Sequence, residues 1–415
     1  MSDQKRIVQP YSFLRSENAK KLIILIVIIL LAIAMAGRKQ FVLDPYENFD
    51  SYGFFHFIQT TADNTHEKTH PLYSKENYIT PALQIISSQL LFSAGFHMFS
   101  AILYWTLTIG GVFILIRMGG FTNYQSMVMA LFALFVGNLI TKELFDIPLL
   151  GPAPYVGYTF YDVRIYTIPL STLGLIAIFN RRFLIAGILI GLATFFHVKF
   201  GFRFFGLIFL SLLLWKFSGS RKLGLSQDEI TWRKIFAFAM SWGILFVITY
   251  LHINSKMQFI DSLELPQSQP FTNQLAWLIK NEPDDYLVSY YFRLGRPFFG
   301  FLCMAVAIGV FCETIIRTSI TVKMRKFAVI WEVVTFIAVI FWGGGFLFET
   351  LLIDLLPLSI AHSIAVTRFW DLIWVVVLGF WITFIPAITL VGQKIMVGFG
   401  KPESGPQNIL FHFLK

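Results

Sequence analysis

The chain has 415 residues, a mean hydropathy of +0.66 and only 14% charged residues. This composition excludes an ordinary soluble globular protein and is typical of a protein that crosses the membrane several times. The formal net charge of +9 does not indicate nucleic-acid binding, because the basic residues lie in small groups between hydrophobic segments and form no basic stripe with interleaved aromatics. The positive-inside rule accounts for the charge more simply.

The first hydrophobic segment, 20–37, predicts a membrane helix, since about 20 mostly apolar residues are needed to cross the hydrocarbon. Residues 34–36 resemble a cleavage site, which would make this segment a signal peptide. We favour an uncleaved anchor, because a long segment with five Lys and Arg residues precedes the apolar run.

The stretch 38–80 is polar in an otherwise apolar chain. Such a length of polar backbone cannot lie in hydrocarbon, so we expect it to stand in water beside the membrane. It holds six carboxylates and three of the eight histidines of the chain: Asp44, Glu47, Asp50, Asp63, Glu67, Glu76, His56, His66 and His70.

The next segment, 81–97, can either cross the membrane or lie along its surface. It begins with Pro81, a favourable first-turn residue, and its polar residues cluster on one helical face. If the segment does not cross, most Lys and Arg residues fall on the side of the N-terminus; if it crosses, the later basic clusters face outward. We therefore predict an interfacial helix that continues the first outer loop, 38–97.

Nine further segments predict membrane helices. The predicted fold class is therefore an all-α polytopic membrane protein with about ten transmembrane helices and outer interfacial helices, forming a single domain over 20–392. Residues 1–19 and 393–415 are predicted cytoplasmic tails, and 142–163 and 254–296 are further outer loops. The nine segments are 98–118, 123–141, 164–180, 183–199, 200–217, 235–253, 297–316, 327–348 and 369–392.

The acids of the first outer loop are candidates for catalysis. Asp44 and Asp50 follow the first helix, where a carboxylate can act as a general base or supply oxygen ligands to a divalent cation. A solvated or helix-capping role is the alternative. His70 and Glu76 lie near the end of the same loop and are candidates for the acceptor side of a site.

Basic residues at the outer ends of predicted helices form a second group of candidates: Arg164, His197, Lys199, Arg203 and Arg368. Charges at helix ends within a bundle are costly and tend to be functional. Together they can clamp a phosphate or pyrophosphate. The alternatives are snorkelling to lipid headgroups and pairing with nearby acids.

Several motifs together resemble the GT-C glycosyltransferase superfamily of polytopic membrane proteins. They are DPYENFD and HPLYSKENYITP in the first outer loop, DVRIYTIPLSTLGLIAIFNRRFLIAGILIGLATFFHVKFG over two helices, and Arg368 before the last helix. The resemblance implies transfer of a sugar from a polyprenyl-phosphate-linked donor to an acceptor on the extracytoplasmic face. Asp44 or Asp50 would match the family's base or metal-ligating acid, so a divalent cation is an open cofactor.

By the same resemblance, the chain would act in cell-envelope polysaccharide synthesis in a bacterial inner membrane, among membrane lipids and envelope partner proteins. Two alternatives remain open. One is a non-catalytic GT-C-like subunit of a polysaccharide or lipid-processing complex. The other is a transporter or flippase, which should show paired half-helices and charges near mid-membrane. The crowding of charges at outer helix ends disfavours transport.

Overall fold

A computed structural model describes residues 17–37, 81–82, 94–145, 164–219, 230–262, 296–319, 321–349 and 370–398. Within these ranges the chain is helical and contains no strand, which confirms the predicted all-α class. Asp44, Asp50, His70, Glu76 and Arg368 lie outside the described residues, as does most of the predicted interfacial segment 81–97.

Eleven α-helices are described, and two of them continue into π-helical turns. The turns are Phe132–Gly137, between α3 and α4, and Trp215–Gly219, after α7. The α-helices in chain order are α1 Glu17–Gly37, α2 Ala94–Met118, α3 Asn123–Leu131, α4 Asn138–Phe145, α5 Arg164–Phe179, α6 Phe183–Phe196, α7 Val198–Leu214, α8 Trp232–Ser262, α9 Arg296–Thr318, α10 Val322–Glu349 and α11 Trp370–Gly398.

Seven helices in the described ranges are long and apolar enough to cross a membrane. Continuous helix over Asn123–Phe145 makes one of these spans out of α3, α4 and the π-helical turn. Two more apolar helices, Tyr166–Phe179 and Phe183–Phe196, are shorter than a full span. The structure thus supports a membrane-spanning bundle with seven clear crossings, while the predicted count of about ten stays a prediction. The seven spans belong to α1, α2, α3–α4, α7, α8, α9 and α11.

Small residues set the packing of the helices on one another. The α5–α6 hairpin lies against α2 and α8, and α9, α10 and α11 pack together beside α7. Gly191 of α6 faces Leu245 of α8, and Gly379 of α11 faces the indole of Trp331. Close approach of this kind is how membrane helices associate, because lipid removes the hydrophobic driving force between them.

Contacts between helix ends show that many basic residues gather at one end of the bundle. Lys323 of α10 lies beside Gly120, at the α2–α3 turn. Lys234 of α8 lies 5.9 Å from the ring of Phe183, at the α5–α6 turn. These turns also carry Arg117, Arg181 and Arg182. We refer to this side as the basic end.

Several helix boundaries differ from the sequence prediction, among them the end of 123–141, which is helical to 145, and the end of 369–392, which is helical to 398 and so takes in the start of the predicted tail. The predicted span 235–253 lies within the longer helix α8, Trp232–Ser262, so the first residues of the predicted loop 254–296 are helical. Residues 94–97 belong to α2 instead of ending a separate segment. Hydropathy finds the apolar part of a helix, whereas backbone hydrogen bonds continue through polar residues once the chain reaches the headgroups.

Candidate functional site

His197 forms the reversal between α6 and α7. Its backbone is extended, with φ −148° and ψ 101°. Its N–H donates to the carbonyl of Ala193, 3.0 Å away, and so closes α6. Its ring Nδ1 accepts from the N–H of Phe200, at 3.3 Å, and so caps α7. One residue thus satisfies backbone groups at both helix ends, which explains why a histidine only 4% exposed can lie here.

The cap also fixes which nitrogen of His197 can act as a donor. A ring nitrogen that accepts a hydrogen bond carries no proton, so the proton of the neutral imidazole lies on Nε2. The geometry at Nδ1 therefore makes Nε2 the donor nitrogen of His197. It lies at the N-terminus of α7, where the first-turn N–H groups favour an anion.

The reversal is tight because Gly201 packs directly on Thr194. A Cβ built on Gly201 would lie 2.6 Å from the Cα of Thr194 and 2.7 Å from its N. The Thr194 hydroxyl donates to the carbonyl of Ile190 at 2.9 Å and accepts from the indole N–H of Trp242 at 3.1 Å. The position of His197 is therefore fixed by packing between α6, α7 and α8.

This packing gives a structural role to much of the segment GLATFFHVKFG that supports the family resemblance. Its glycines and threonine make helix contacts: Gly191 on α8, and Gly201 on Thr194. Its histidine caps both helices. The pattern therefore specifies a helix reversal, whatever chemistry takes place beside it.

Arg203 lies in the core, with 1% of its side chain exposed. It is on the second turn of α7, and the neighbouring Phe200 and Phe204 are also fully buried. The rings of Phe200 and Phe204 stack at 6.2 Å, and Phe204 stacks on Trp374 of α11 at 5.7 Å. A buried guanidinium in an apolar bundle is costly unless an anion or a hydrogen-bond acceptor faces it.

Trp374 was not identified by sequence reasoning. Its indole N–H is buried and has no hydrogen-bond partner among the residues that the structure describes, so it is a donor that an acceptor group can satisfy. Its position six residues after Arg368 was the feature of the sequence that could have pointed to it. Hydropathy alone does not distinguish Trp374 from tryptophans that face lipid or fill the core.

The start of α5 adjoins the α6–α7 reversal. Tyr166, two residues after Arg164, stacks on Phe196 with ring centroids 4.6 Å apart and planes at 17°. The Tyr166 hydroxyl lies 3.4 Å from that of Ser100, on α2. Arg164 is the first residue of α5 and Lys199 the second of α7, and their side chains lie outside the described part. The structure therefore brings together the backbone positions of Arg164, His197 and Lys199.

The predicted catalytic acids Asp44 and Asp50, the predicted acceptor-side residues His70 and Glu76, and the predicted phosphate-binding Arg368 lie outside the described ranges. Their relation to His197 stays a prediction. Within the described ranges, no group of three or more His, Cys, Asp and Glu side chains is placed to hold a metal ion.

The seven apolar helices of spanning length in the described part of the chain make it an integral membrane protein, and that part is all-helical. Comparison with known proteins goes no further: no protein-family model, curated protein or solved structure matches the chain.

Proposed function

We propose that the chain is a membrane glycosyltransferase that moves a sugar from a polyprenyl-phosphate-linked donor to an acceptor on the extracytoplasmic face. The observation that supports it is the end of the bundle where the start of α5 meets the α6–α7 reversal. A buried imidazole with its proton on Nε2 lies there beside a helix N-terminus, and the buried guanidinium of Arg203 is on the second turn of the same helix. These groups suit the phosphate of a lipid donor.

In the proposed reaction, the carboxylate of Asp44 or Asp50 takes the proton from an acceptor hydroxyl. The acceptor oxygen then forms a bond to the anomeric carbon of the sugar, and the bond between that carbon and the phosphate oxygen breaks. The electron pair leaves with the polyprenyl phosphate. Arg164, Lys199 and Arg368 stabilise the phosphate through preorganised positive charge in a poorly hydrated site, and His197 donates a hydrogen bond to it from Nε2. His70 and Glu76 contact the acceptor.

The same structure supports a proposed orientation in the membrane. The basic end of the bundle lies opposite the α6–α7 reversal, since α5 and α6 both run between the two ends. By the positive-inside rule the basic end faces the cytoplasm, which leaves His197 on the extracytoplasmic side. We propose a bacterial inner membrane, with both tails cytoplasmic and about ten crossings.

A non-catalytic envelope subunit is the second candidate. Its support is that His197 already has two structural roles, as the C-cap of α6 and the N-cap of α7. A chain of this kind keeps the fold and the reversal without transferring a sugar. The two candidates differ in the role of Asp44 and Asp50, which take a proton from the acceptor in the enzyme and have no catalytic role in the subunit.

Replacement of Asp44 and Asp50 by asparagine, singly and together, separates the two candidates. An asparagine keeps size and hydrogen bonding but cannot take a proton, so the enzyme should lose on the order of 10²–10⁴ in rate if one of these acids is the base. The measurement is product formation in membranes, with protein amount and thermal midpoint as controls. Full activity of the double variant would contradict the assignment of the base.

The donor site has its own test, which does not depend on the identity of the sugar. Polyprenyl phosphate, the shared leaving group of such donors, should bind the purified protein more tightly than polyprenol, which lacks the phosphate. His197→Asn should weaken that binding about tenfold, because a charge-assisted hydrogen bond contributes about 1.5–3 kcal/mol. Equal binding of polyprenyl phosphate and polyprenol would contradict a phosphate site.

The same position tests the structural duty of His197. Asparagine is a strong helix N-cap, so His197→Asn should keep the wild-type thermal midpoint, whereas His197→Ala should lose about 1 kcal/mol of stability. Thermal unfolding in detergent measures both. A loss of phosphate binding with an unchanged midpoint in His197→Asn assigns the effect to the imidazole; equal destabilisation by both variants would show that the cap is not the stabilising contact.

A further inference from the structure

The turn between α5 and α6 contains an arginine with a left-handed backbone conformation. Arg181 has φ 61°. Its N–H donates to the carbonyl of Ile178 and the N–H of Arg182 donates to that of Ala177, both at 2.8 Å. This pair of bonds closes the helix in the Schellman arrangement, in which glycine usually takes the left-handed position because a Cβ is strained there. Glycine would take this backbone conformation without strain, so an arginine here suggests that its positive charge has a function.

The first turn of α8 lies beside this arginine pair. Lys234 is 5.9 Å from the ring of Phe183, which directly follows Arg182. Arg181, Arg182 and Arg233 are exposed. The acidic side chains that the structure describes are on other helices: Glu143 on α4, Glu313 on α9 and Glu332 on α10.

Exposed aromatic rings adjoin these cations. Trp232 is 56% exposed and Phe217 is 59% exposed, with ring centroids 5.9 Å apart. Lys216 holds this pair in place, because its Nζ donates to the carbonyl of Ile230 at 2.9 Å and lies 5.5 Å from the ring of Trp232. Aromatic rings beside Lys and Arg are typical of the membrane–water interface.

The exposed face of α8 indicates the depth at which these cations and aromatic rings lie in the membrane. Exposed apolar residues continue along α8 directly from Trp232, including Phe236, Met240 and Ile244. In a membrane-spanning helix this face meets the lipid chains, so Trp232 and its neighbouring cations lie at the depth of the headgroups. We call the group Arg181, Arg182, Lys216, Trp232, Arg233 and Lys234 the headgroup patch.

We infer that the headgroup patch binds the headgroups of anionic phospholipids at the basic end of the bundle. The charge of the cations is complementary to the lipid phosphates, and Trp232 and Phe217 insert beside the upper acyl chains. An acidic protein segment fits less well, because the patch borders the lipid-facing side of α8. The occupant is therefore a lipid that stays bound to the folded protein, separate from any donor lipid at the opposite end.

The test uses the full chain in nanodiscs of phosphatidylcholine with or without phosphatidylglycerol, and counts the retained lipids by native mass spectrometry. The wild type should retain phosphatidylglycerol in preference to phosphatidylcholine. Arg181→Gly and Arg233→Gln should each weaken that retention about fivefold, because a cation near an anionic surface contributes about 1 kcal/mol. Arg181→Gly removes the backbone strain along with the charge, so its thermal midpoint in pure phosphatidylcholine should not fall.

Arg317→Gln is the matched control. Arg317 is an exposed cation on α9, and it pairs with Glu313 at 3.3 Å outside the patch. Its replacement should leave phosphatidylglycerol retention unchanged. Wild-type retention in the Arg181→Gly/Arg233→Gln double variant would overturn the inference, and an equal loss in Arg317→Gln would show general attraction to the basic end. Displacement of the lipid by inorganic phosphate, but not by chloride at equal ionic strength, would indicate a phosphate-ion site instead.

Discussion

A methyl group added at Gly201 is expected to force α6 and α7 apart. The Cβ of Gly201→Ala would overlap the Oγ1 of Thr194 and lie 2.6 Å from its Cα, and backbone atoms cannot rotate out of the way. The helices must separate, which also disturbs the bond from Trp242 to Thr194. We expect a loss of about 3 kcal/mol in the free energy of unfolding.

Unfolding in mixed detergent measures this loss, and Gly243→Ala is its control. Gly243 is inside α8, where an added Cβ meets no atom within 4 Å, so alanine there should stabilise the helix by about 0.5–1 kcal/mol. Wild-type stability of Gly201→Ala would contradict the tight reversal. The proposed phosphate site adds a further expectation, since movement of His197 should weaken polyprenyl phosphate binding by more than stability alone explains.

The membrane character of the chain was predictable from sequence because hydropathy reports directly on transfer into lipid. The positions of the helices were predicted well, as with 164–180, which corresponds to α5, and 183–199, which covers α6. Their ends were less predictable. α8 continues through Asn254, Ser255 and Lys256, since polar residues do not end a helix where headgroups and water can solvate them.

The candidate site residues were likewise predictable in position but not in local geometry. His197 was identified from its place between two apolar segments, but its double cap depends on an extended backbone that hydropathy does not specify. Arg203 has the same charge as Lys199, four residues earlier, and the sequence does not show that it lies in the core, facing inward on α7. The π-helical turn Phe132–Gly137 is as apolar as the helices on either side, so hydropathy does not distinguish it from them; nor does it show that Gly137 packs on Trp381 of α11.

The contact between Gly137 and Trp381 leads to the second large expected effect. The ring of Trp381 lies against Gly137, and a Cβ there would come within 2.7–2.8 Å of three ring atoms. The ring cannot easily move, because its Nε1–H donates to the hydroxyl of Thr141 at 2.9 Å. That hydroxyl in turn donates to the carbonyl of Gly137 at 2.8 Å. Gly137→Ala should therefore expel the ring, break the hydrogen bond and cost about 3 kcal/mol.

A double-mutant cycle identifies the cause of that loss. Trp381→Leu removes the obstructing ring at a cost of its own, on the order of 3 kcal/mol. In the Trp381→Leu background, Gly137→Ala should cost less than about 1 kcal/mol, since the added methyl group then has space. Thr141→Val isolates the hydrogen bond and should cost about 1 kcal/mol. Additive losses in the cycle would mean that Gly137 and Trp381 contribute to stability independently. Strong coupling would mean that the indole of α11 fills the space into which the methyl group at position 137 is added.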